Sequence, residues 1–525
     1  MSTTVDRLLP ELTAAGATAV TATDTHALRC RLSRELVTVL ADRAAALGLE
    51  VQLLCASDTR HRSGDFTLTY VFAPPRGRPQ VTALVAVPSD EPRFPSLALR
   101  SFAASRFERE IHDLLGLIPV GHPDLRRLAV HQFWPDGYFP LRRDVATRRD
   151  FADAGQPFPF RRVEGDGLFE ITVGPVHAGI IEPGHFRFTV EGETIVNLET
   201  RLGFVHKGTE KLFETLPFER TPALAECVSG DEAIAHAFAY CQAVEALAGA
   251  EIPPRAAWLR VVLLELERLY NHVGDVGMIV NDTGFAFGHA HCFRLREELL
   301  RLNERVAGHR LLRGAVLPGG VSEAVRAAAL EALPATVARL AAEFVEIAEL
   351  SLNNSLVLER LQGTGRLTPS TAREMQVIGL VGRASGIDAD LRRDAPAASY
   401  DKLDVQVATS DEGDVWARTI VRIRETCEAV RLIAEAIQRL PGGPTRTTLG
   451  PLRADDHAVS AVEGWRGPVW YWVLAEGPAK IGRVKVVDPS FRNWPALEHA
   501  VLKNIVPDFP LCNKSFNLSY SGSDL

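Results

Sequence analysis

The seven cysteines of this chain, Cys30, Cys55, Cys227, Cys241, Cys292, Cys427 and Cys512, form no C-x-x-C pair. That excludes a disulfide framework and a self-contained zinc or iron–sulfur site. A reducing compartment is the simple reading. Long apolar runs are also missing. No stretch reaches the ~18 uncharged apolar residues of a membrane-spanning helix, so membrane association would have to come through partners. The formal charge of −8 is spread along the chain with no basic block, which excludes nucleic acid as a partner. Met1–Ala15 mixes Asp6, Arg7 and Glu11 with apolar residues and is not a signal peptide. No G-x-G-x-x-G follows a strand pattern, so NADH would bind elsewhere. Internal repeats and low-complexity tracts are absent.

What is present is the composition of a globular protein, 46% hydrophobic and 24% charged, in 525 residues. That length exceeds one ordinary core and predicts two or more domains. Ser33–Leu49 has helical apolar spacing. Glu50–Cys55, Phe66–Phe72 and Gln80–Val87 read as short strands, and Phe102–Leu117 as an amphipathic helix. They predict a small α/β domain over residues 1–145. Polar, Gly/Pro-containing residues 146–165 read as a linker. Residues 166–525 open with two strand-like runs, Leu168–Val173 and Phe186–Val196, and become mainly helical from Cys227. The clearest helices are Ala256–Gly277, Phe293–Leu312, Glu323–Leu350 (divided by Pro334) and Val415–Leu440, stopped by Pro441-Gly-Gly-Pro444. Trp465–Leu474 and Ile481–Val487 alternate like a hairpin, and Lys503–Leu525 shows no strong pattern. The fold class is α+β.

Six strings carry chemistry. Glu108–Asp124 (EREIHDLLGLIPVGHPD), followed by Pro140-Leu-Arg-Arg-Asp144, is an acidic helix stopped by Gly116 and then a turn. Gly174–Arg187 (GPVHAGIIEPGHFR) is a Gly/Pro-fixed loop carrying His177 and His185, residues that titrate near neutrality. Gly203–Glu214 contains His206 and Glu210. The helix around Ala256–Gly277 carries Glu265, Arg268, His272 and Asp275 at i, i+3, i+7 and i+10, one face of an otherwise apolar cylinder, and continues to Asp282. Such a stripe needs pairing, because unpaired buried charge is costly, and it suits either a structural network or a proton path. Glu226–His236 reads ECVSGDEAIAH, and Asp508–Ser515 reads DFPLCNKS.

These strings resemble a known family. The first is similar to the signature of the C-type docking subunit of complex I, E-R-E-x-x-D-x-[FL]-G-[IL]-x-x-x-G-H-P-D. The others resemble the D-type subunit of complex I and nickel–iron hydrogenase large subunits, in the hydrogenase-4-type form of the histidine loop, G-P-x-H-x-G-x-x-E-P-G-H-F-R. The resemblance covers almost the whole chain. It implies an N-terminal C-type docking domain fused to a D-type helical domain with an N-terminal β-hairpin. It implies an oxidoreductase subunit of a membrane-associated, complex I-related assembly, active only in the complex and peripheral on the cytoplasmic side. Its partners would be an iron–sulfur small subunit, similar to the B-type one of complex I, and membrane ion-translocating subunits. A quinone is the implied ligand. The resemblance implies that His177, His185 and His236 act at the pocket. It places His206, Ser229, Glu232, Arg268, His272, Asp275, Asp282 and Cys512 in the pocket or its proton network. Glu210 stands where hydrogenases help hold a magnesium.

The hydrogenase pattern R-x-C-G-x-C-x-x-x-H, counted back from His236, puts Ser229 and Glu232 at the thiolate positions. Of D-P-C-x-x-C, read onto Asp508–Ser515, Cys512 is the one thiolate left. Nickel and iron need soft sulfur ligands, so the nickel–iron centre is expected to be lost. The tyrosine that shares the quinone headgroup in the D-type subunits of complex I is replaced by Gly230. Three function classes follow: a redox subunit with a quinone-like acceptor, a nickel–iron hydrogenase with divergent ligands, and a catalytically silent scaffold.

Overall fold

A computed structural model describes residues 4–146, 151–152 and 155–525. The chain divides into two compact units. One comprises Met1–Arg162, Arg201–His206 and Asp524, and the other the remainder. The expected linker, residues 146–165, falls partly outside the described residues.

The first unit is built on a five-stranded sheet. Its strands are β1 (Thr18–Asp24), β2 (Ala27–Leu32), β3 (Glu50–Ser57), β4 (Phe66–Ala73) and β5 (Gln80–Val87). The order is β1-β2-β5-β4-β3, with β2 and β5 parallel and the other pairs antiparallel. Helix α1 (Val37–Ala46) is shorter than the apolar spacing suggested, because Arg34–Leu36 forms a separate 3₁₀ turn. Helix α2 (Phe102–Leu115) buries Phe107, Ile111, Leu114 and Leu115. Its buried Glu108 accepts from the Leu97 amide at 2.6 Å. Asp113 accepts from the amides of Leu128 and Ala129 at 2.7 and 2.9 Å. The acidic string is thus a set of backbone clamps.

The second unit opens with β6 (Leu168–Val173), β7 (His185–Glu191) and β8 (Thr194–Arg201) in the order β8-β7-β6. The single run expected over Phe186–Val196 is two strands, because Gly192 takes φ +59° and turns the chain. The helices follow: α3 (Ala233–Ala248), α4 (Pro254–Asp282), α5 (Ala286–Ala307), α6 (Leu333–Leu352) and α7 (Val415–Gln438). Pro334 sits in the first turn of α6, where its missing N–H costs nothing, and a separate short helix spans Ala327–Glu331. The expected hairpin is a three-stranded antiparallel sheet of β9 (His457–Glu463), β10 (Pro468–Gly477) and β11 (Lys480–Val487). After β11 comes α8 (Pro489–Ala500), and the tail from Lys503 has structure that periodicity did not show, α9 (Phe509–Phe516) and α10 (Tyr520–Asp524). Among the described residues no helix is long and apolar enough to cross a membrane.

Helix α4 is the centre of this unit. Nearly every residue from Ala256 to Val280 is buried, polar stripe included. Gly274 and Gly277 let α5 approach closely, since a methyl group there would press on Arg296 or Cys292 at 2.7 Å.

Candidate functional site

A cavity of about 400 Å³ opens in the second unit. Its walls come from distant stretches: Ile180–Glu182 of the β6–β7 loop, Ser229–Asp231 before α3, Asn271–Met278 of α4, and Asn513–Ser521. Phe293, Arg296 and Arg466 complete it.

The inner wall is where the thiolate pattern converges. Glu232 caps α3, and Ser229 lies one turn earlier. Ser229 Oγ is 2.8 Å from Ser519 Oγ, and Ser519 caps α10 by accepting from the Gly522 amide at 2.9 Å. Asp488 caps α8 by accepting from the Ser490 amide at 2.7 Å. Its carboxylate lies against Gly522, where a methyl group would press on all three carboxylate atoms at 3.0 Å or less. The Glu232 carboxylate is in the same relation to Gly464. Two three-residue spacings, Ser229-x-x-Glu232 and Ser519-x-x-Gly522, therefore face each other.

This corrects the register read from the sequence. The residues opposite Ser229 and Glu232 are Ser519 and Gly522, not Cys512 and Ser515. Helix α9 turns Cys512 away from the cavity wall, with Sγ packed beside Gly365 and Arg418. Burial pushes its thiol up to about 12. The four positions hold two hydroxyls, one carboxylate and one glycine. No sulfur is among them, and the Asp488 and Glu232 side chains fill the volume beside the glycines. This donor set does not fit nickel and iron.

Charge at the inner wall is balanced by one guanidinium. Arg466 pairs with Asp231 through two hydrogen bonds of 2.7 and 2.8 Å, and its Nη1 is 3.4 Å from Glu232 Oε2. The Arg466 charge outweighs burial and holds the Asp231 carboxyl below its usual range. Burial, with Asp488 close by, holds Glu232 well above it. The donor atoms of Glu232, His236 and Asp488 lie within 4.8 Å of one another. His236 already spends both ring nitrogens, on Asp488 and on the Tyr471 hydroxyl, so the set does not fit a metal. His236 bridges inward, with Nε2 3.1 Å from Asp488 Oδ2 and Nδ1 3.1 Å from the Tyr471 hydroxyl. The His236 hydrogen bond outweighs burial at Asp488 and holds that carboxyl below its usual range.

The two loop histidines do not line the cavity. His177 Nε2 donates to the Gly184 carbonyl at 2.7 Å, and His185 Nδ1 donates to the Gly174 carbonyl at 3.3 Å. They lace the loop to itself, and the loop reaches the cavity through Ile180, Ile181 and Glu182. Glu182 accepts from the Ser521 amide at 3.1 Å. His206 falls in the first unit, where Nδ1 donates to the Asp524 carbonyl at 2.7 Å.

Glu210 sits between two cations. Its carboxylate takes Lys485 Nζ at 3.0 Å, the Val486 amide at 3.1 Å and Arg483 Nη2 at 2.8 Å. These two cations outweigh burial and keep it below its usual range. A carboxylate between two protein cations does not fit magnesium, which wants an octahedron of oxygens.

The stripe on α4 is a buried ion network against α7. Asp275, at the cavity wall, accepts from Arg422 at 2.8 Å and from Asn517 at 2.6 Å. His272 Nε2 is 2.9 Å from Glu425 Oε2, and burial lowers its ring to about 4. Glu425 also takes Arg383 at 2.8 Å and Arg268 at 3.4 Å, and Arg268 reaches Glu265 at 3.2 Å. Arg383 continues to Glu463 at 2.7 Å. Asp282 pairs with Lys514. Sequence reasoning missed Arg466 and Asp488 as site residues. The signal available was the second three-residue spacing, Ser519 to Gly522.

Residues 31–150 match the family described as respiratory-chain NADH dehydrogenase, 30 Kd subunit, and residues 282–452 match its 49 Kd subunit. Formate hydrogenlyase subunit 5 of Escherichia coli is 34% identical over 481 residues, 90% of this chain and 84% of that one. Hydrogenase-4 component G of the same organism is 33% identical over 478 residues, 90% and 83% of the two chains. The C/D subunit of NADH-quinone oxidoreductase from Bdellovibrio bacteriovorus is 27% identical over 450 residues, 79% and 80%. Among solved structures, a chain of the membrane-bound sulfane sulfur reductase, an archaeal respiratory membrane complex, aligns with TM-score 0.64 at 25% identity. It covers 68% of this chain and 99% of that one.

Proposed function

Because the chain belongs to the family of fused 30 Kd and 49 Kd respiratory-chain NADH dehydrogenase subunits, with formate hydrogenlyase subunit 5 and hydrogenase-4 component G among its relatives, we propose that it is the large subunit of a membrane-bound, complex I-related oxidoreductase that works without nickel and iron. In this reading an iron–sulfur small subunit passes electrons in at the cavity, and a quinone-like acceptor binds there. Membrane subunits couple the electron transfer to ion movement, with this chain peripheral on the cytoplasmic face. The observation that carries the reading is the inner wall. Ser229, Glu232, Ser519 and Gly522 stand opposed with no sulfur, while an open cavity remains beside them.

The cavity suits such an acceptor. Ile180, Ile181, Met278 and Phe293 offer apolar surface, and Asn271, Ser519 and Tyr520 offer hydrogen-bonding groups. The chain's own residues bind and orient. Arg466 holds the wall charged but neutralised, and the α4–α7 ion network fixes Asp275. The test is purification of the assembled complex, metal analysis and reduction of decylubiquinone. Expected are no stoichiometric nickel, electron transfer to the quinone, and loss of that transfer in Met278→Trp, which narrows the cavity. Nickel at about one per chain, or hydrogen-dependent turnover, would establish the hydrogenase reading. An assembled complex indifferent to Met278→Trp would favour the scaffold.

A further inference from the structure

We propose that Glu232 and Asp488 store one proton between them and deliver it, across the Ser229 and Ser519 hydroxyls, to a carbonyl oxygen of a reducible ligand in the cavity. The inference rests on the proposed function, which places an acceptor there.

The groups facing the pair come from every packed element. Asp231, Glu232 and His236 stand at the start of α3. Glu267 on α4 accepts from the Ile234 and Ala235 amides at 2.7 and 3.1 Å, and burial raises it to about 8. Arg466 comes from the β9–β10 turn, Tyr471 from β10 and Asp488 from the cap of α8. Arg466 is held by Asp231 with two hydrogen bonds, and His236 faces Asp488. Glu232, 0% exposed like Asp488 and with its donor atom within 4.8 Å of it, keeps only a longer contact with Arg466 at 3.4 Å. Two ionised carboxylates this close and this buried are strongly unfavourable, so one of them binds a proton. Burial and the neighbouring Asp488 put that proton on Glu232, and the His236 hydrogen bond keeps Asp488 ionised. His236 and Tyr471 are positioning residues for Asp488.

Outward from the pair, Arg466 Nη1 lies 3.4 Å from both Glu232 Oε2 and Ser229 Oγ and bridges the two side chains, and Ser229 Oγ has Asp231 Oδ1 at 3.0 Å as a second acceptor. Ser229 Oγ is 2.8 Å from Ser519 Oγ, and both serines line the cavity. A hydroxyl can accept one proton and release another. For a dicarbonyl of the benzoquinone or naphthoquinone class, two electrons arrive from the iron–sulfur protein. One carbonyl oxygen forms an O–H bond as the Glu232 O–H bond breaks, and each serine passes one proton on. The second oxygen takes its proton from water through the open cavity, giving the quinol. Water then reloads the pair.

The experiment is reduced-minus-oxidised infrared spectroscopy of the assembled complex with decylubiquinone, in H₂O and D₂O. Expected is a carboxylic-acid carbonyl band that shifts in D₂O, is lost during reduction, and is missing from Glu232→Gln. Glu232→Gln keeps volume and should slow quinone reduction by the ~10²–10⁴-fold typical of a lost proton donor, with Glu232→Asp recovering part of it. A Glu232→Gln complex that keeps the band, or reduces decylubiquinone at the wild-type rate, overturns the proposal. So does stoichiometric zinc or manganese held by the wild type and released by Glu232→Gln. Failure of the acceptor reading is separate. A wild type that does not reduce decylubiquinone removes the delivery step, while the band in quinone-free complex still reports whether the pair stores a proton.

Discussion

Gly522→Ala sets two physical effects against each other. Gly522 lies in α10 with ordinary backbone angles, so helix propensity alone predicts that alanine stabilises by ~0.5–1 kcal/mol. The structure predicts the opposite sign. The added methyl would press on the Asp488 carboxylate, with Oδ1 the most distant of its three atoms at 3.0 Å. Overpacking of this kind costs ~1–3 kcal/mol. Moving Asp488 also disturbs its bond to His236, a buried charge-assisted contact for which ~1.5–3 kcal/mol is typical. The net is a destabilisation of about 1.5–5.5 kcal/mol. The unit is larger than the ~150–250 residues for which ~2–4 °C per kcal/mol holds, so midpoints move by ~1–2 °C per kcal/mol and a fall of at least ~1.5 °C is expected. The assay is thermal unfolding of the assembled complex beside Gly442→Ala, where a methyl meets nothing within 4 Å. A Gly522→Ala protein as stable as wild type, or more stable, would refute the claim that carboxylates fill the place of the lost ligands.

Other substitutions test neighbouring arguments. Glu210→Gln removes the carboxylate that Lys485 and Arg483 share and should cost about 3–5 kcal/mol, the range for breaking a buried ion pair, and added magnesium should not restore the melting temperature. Glu226, which accepts from the Gly314 amide at 2.6 Å, is pushed by burial from 4.5 up to about 7. Stability tied to its protonated form is full below pH 4.5 and is lost as pH rises through about 7. Glu226→Gln should therefore be neutral at low pH and stabilising at pH ~8, by up to ~1.4 kcal/mol for each pH unit between the two values. His177→Ala and His185→Ala each remove one loop-closing hydrogen bond, a loss of ~0.5–1.5 kcal/mol. They should change decylubiquinone reduction by less than the ~10²-fold expected of a lost proton donor. Cys512→Ala should keep full electron transfer, measured against the same quinone, because its thiol does not reach the cavity.

The sequence by itself determined the two-part organisation, the α+β class and that Ser229 and Glu232 carry no sulfur. The reason is local. Period-2 runs such as Phe66–Ala73 and Gln80–Val87 and the apolar cylinder of α4 fix their elements whatever lies around them. The tail was different. Lys503–Leu525 carries its helices by caps and tertiary packing, not by periodicity, and the motif, read from the sequence onto Asp508–Ser515, meets Ser229 at Ser519 instead, 2.8 Å away. The partners of each polar residue were likewise undetermined. That Glu210 meets Lys485 across 275 positions, and Arg466 meets Asp231 across 235, follows from packing alone. A chain can record which charges it carries. Only the fold decides which of them meet in a place without water, and there the pairing sets whether a carboxyl is an ion-pair partner, a proton store or a metal ligand.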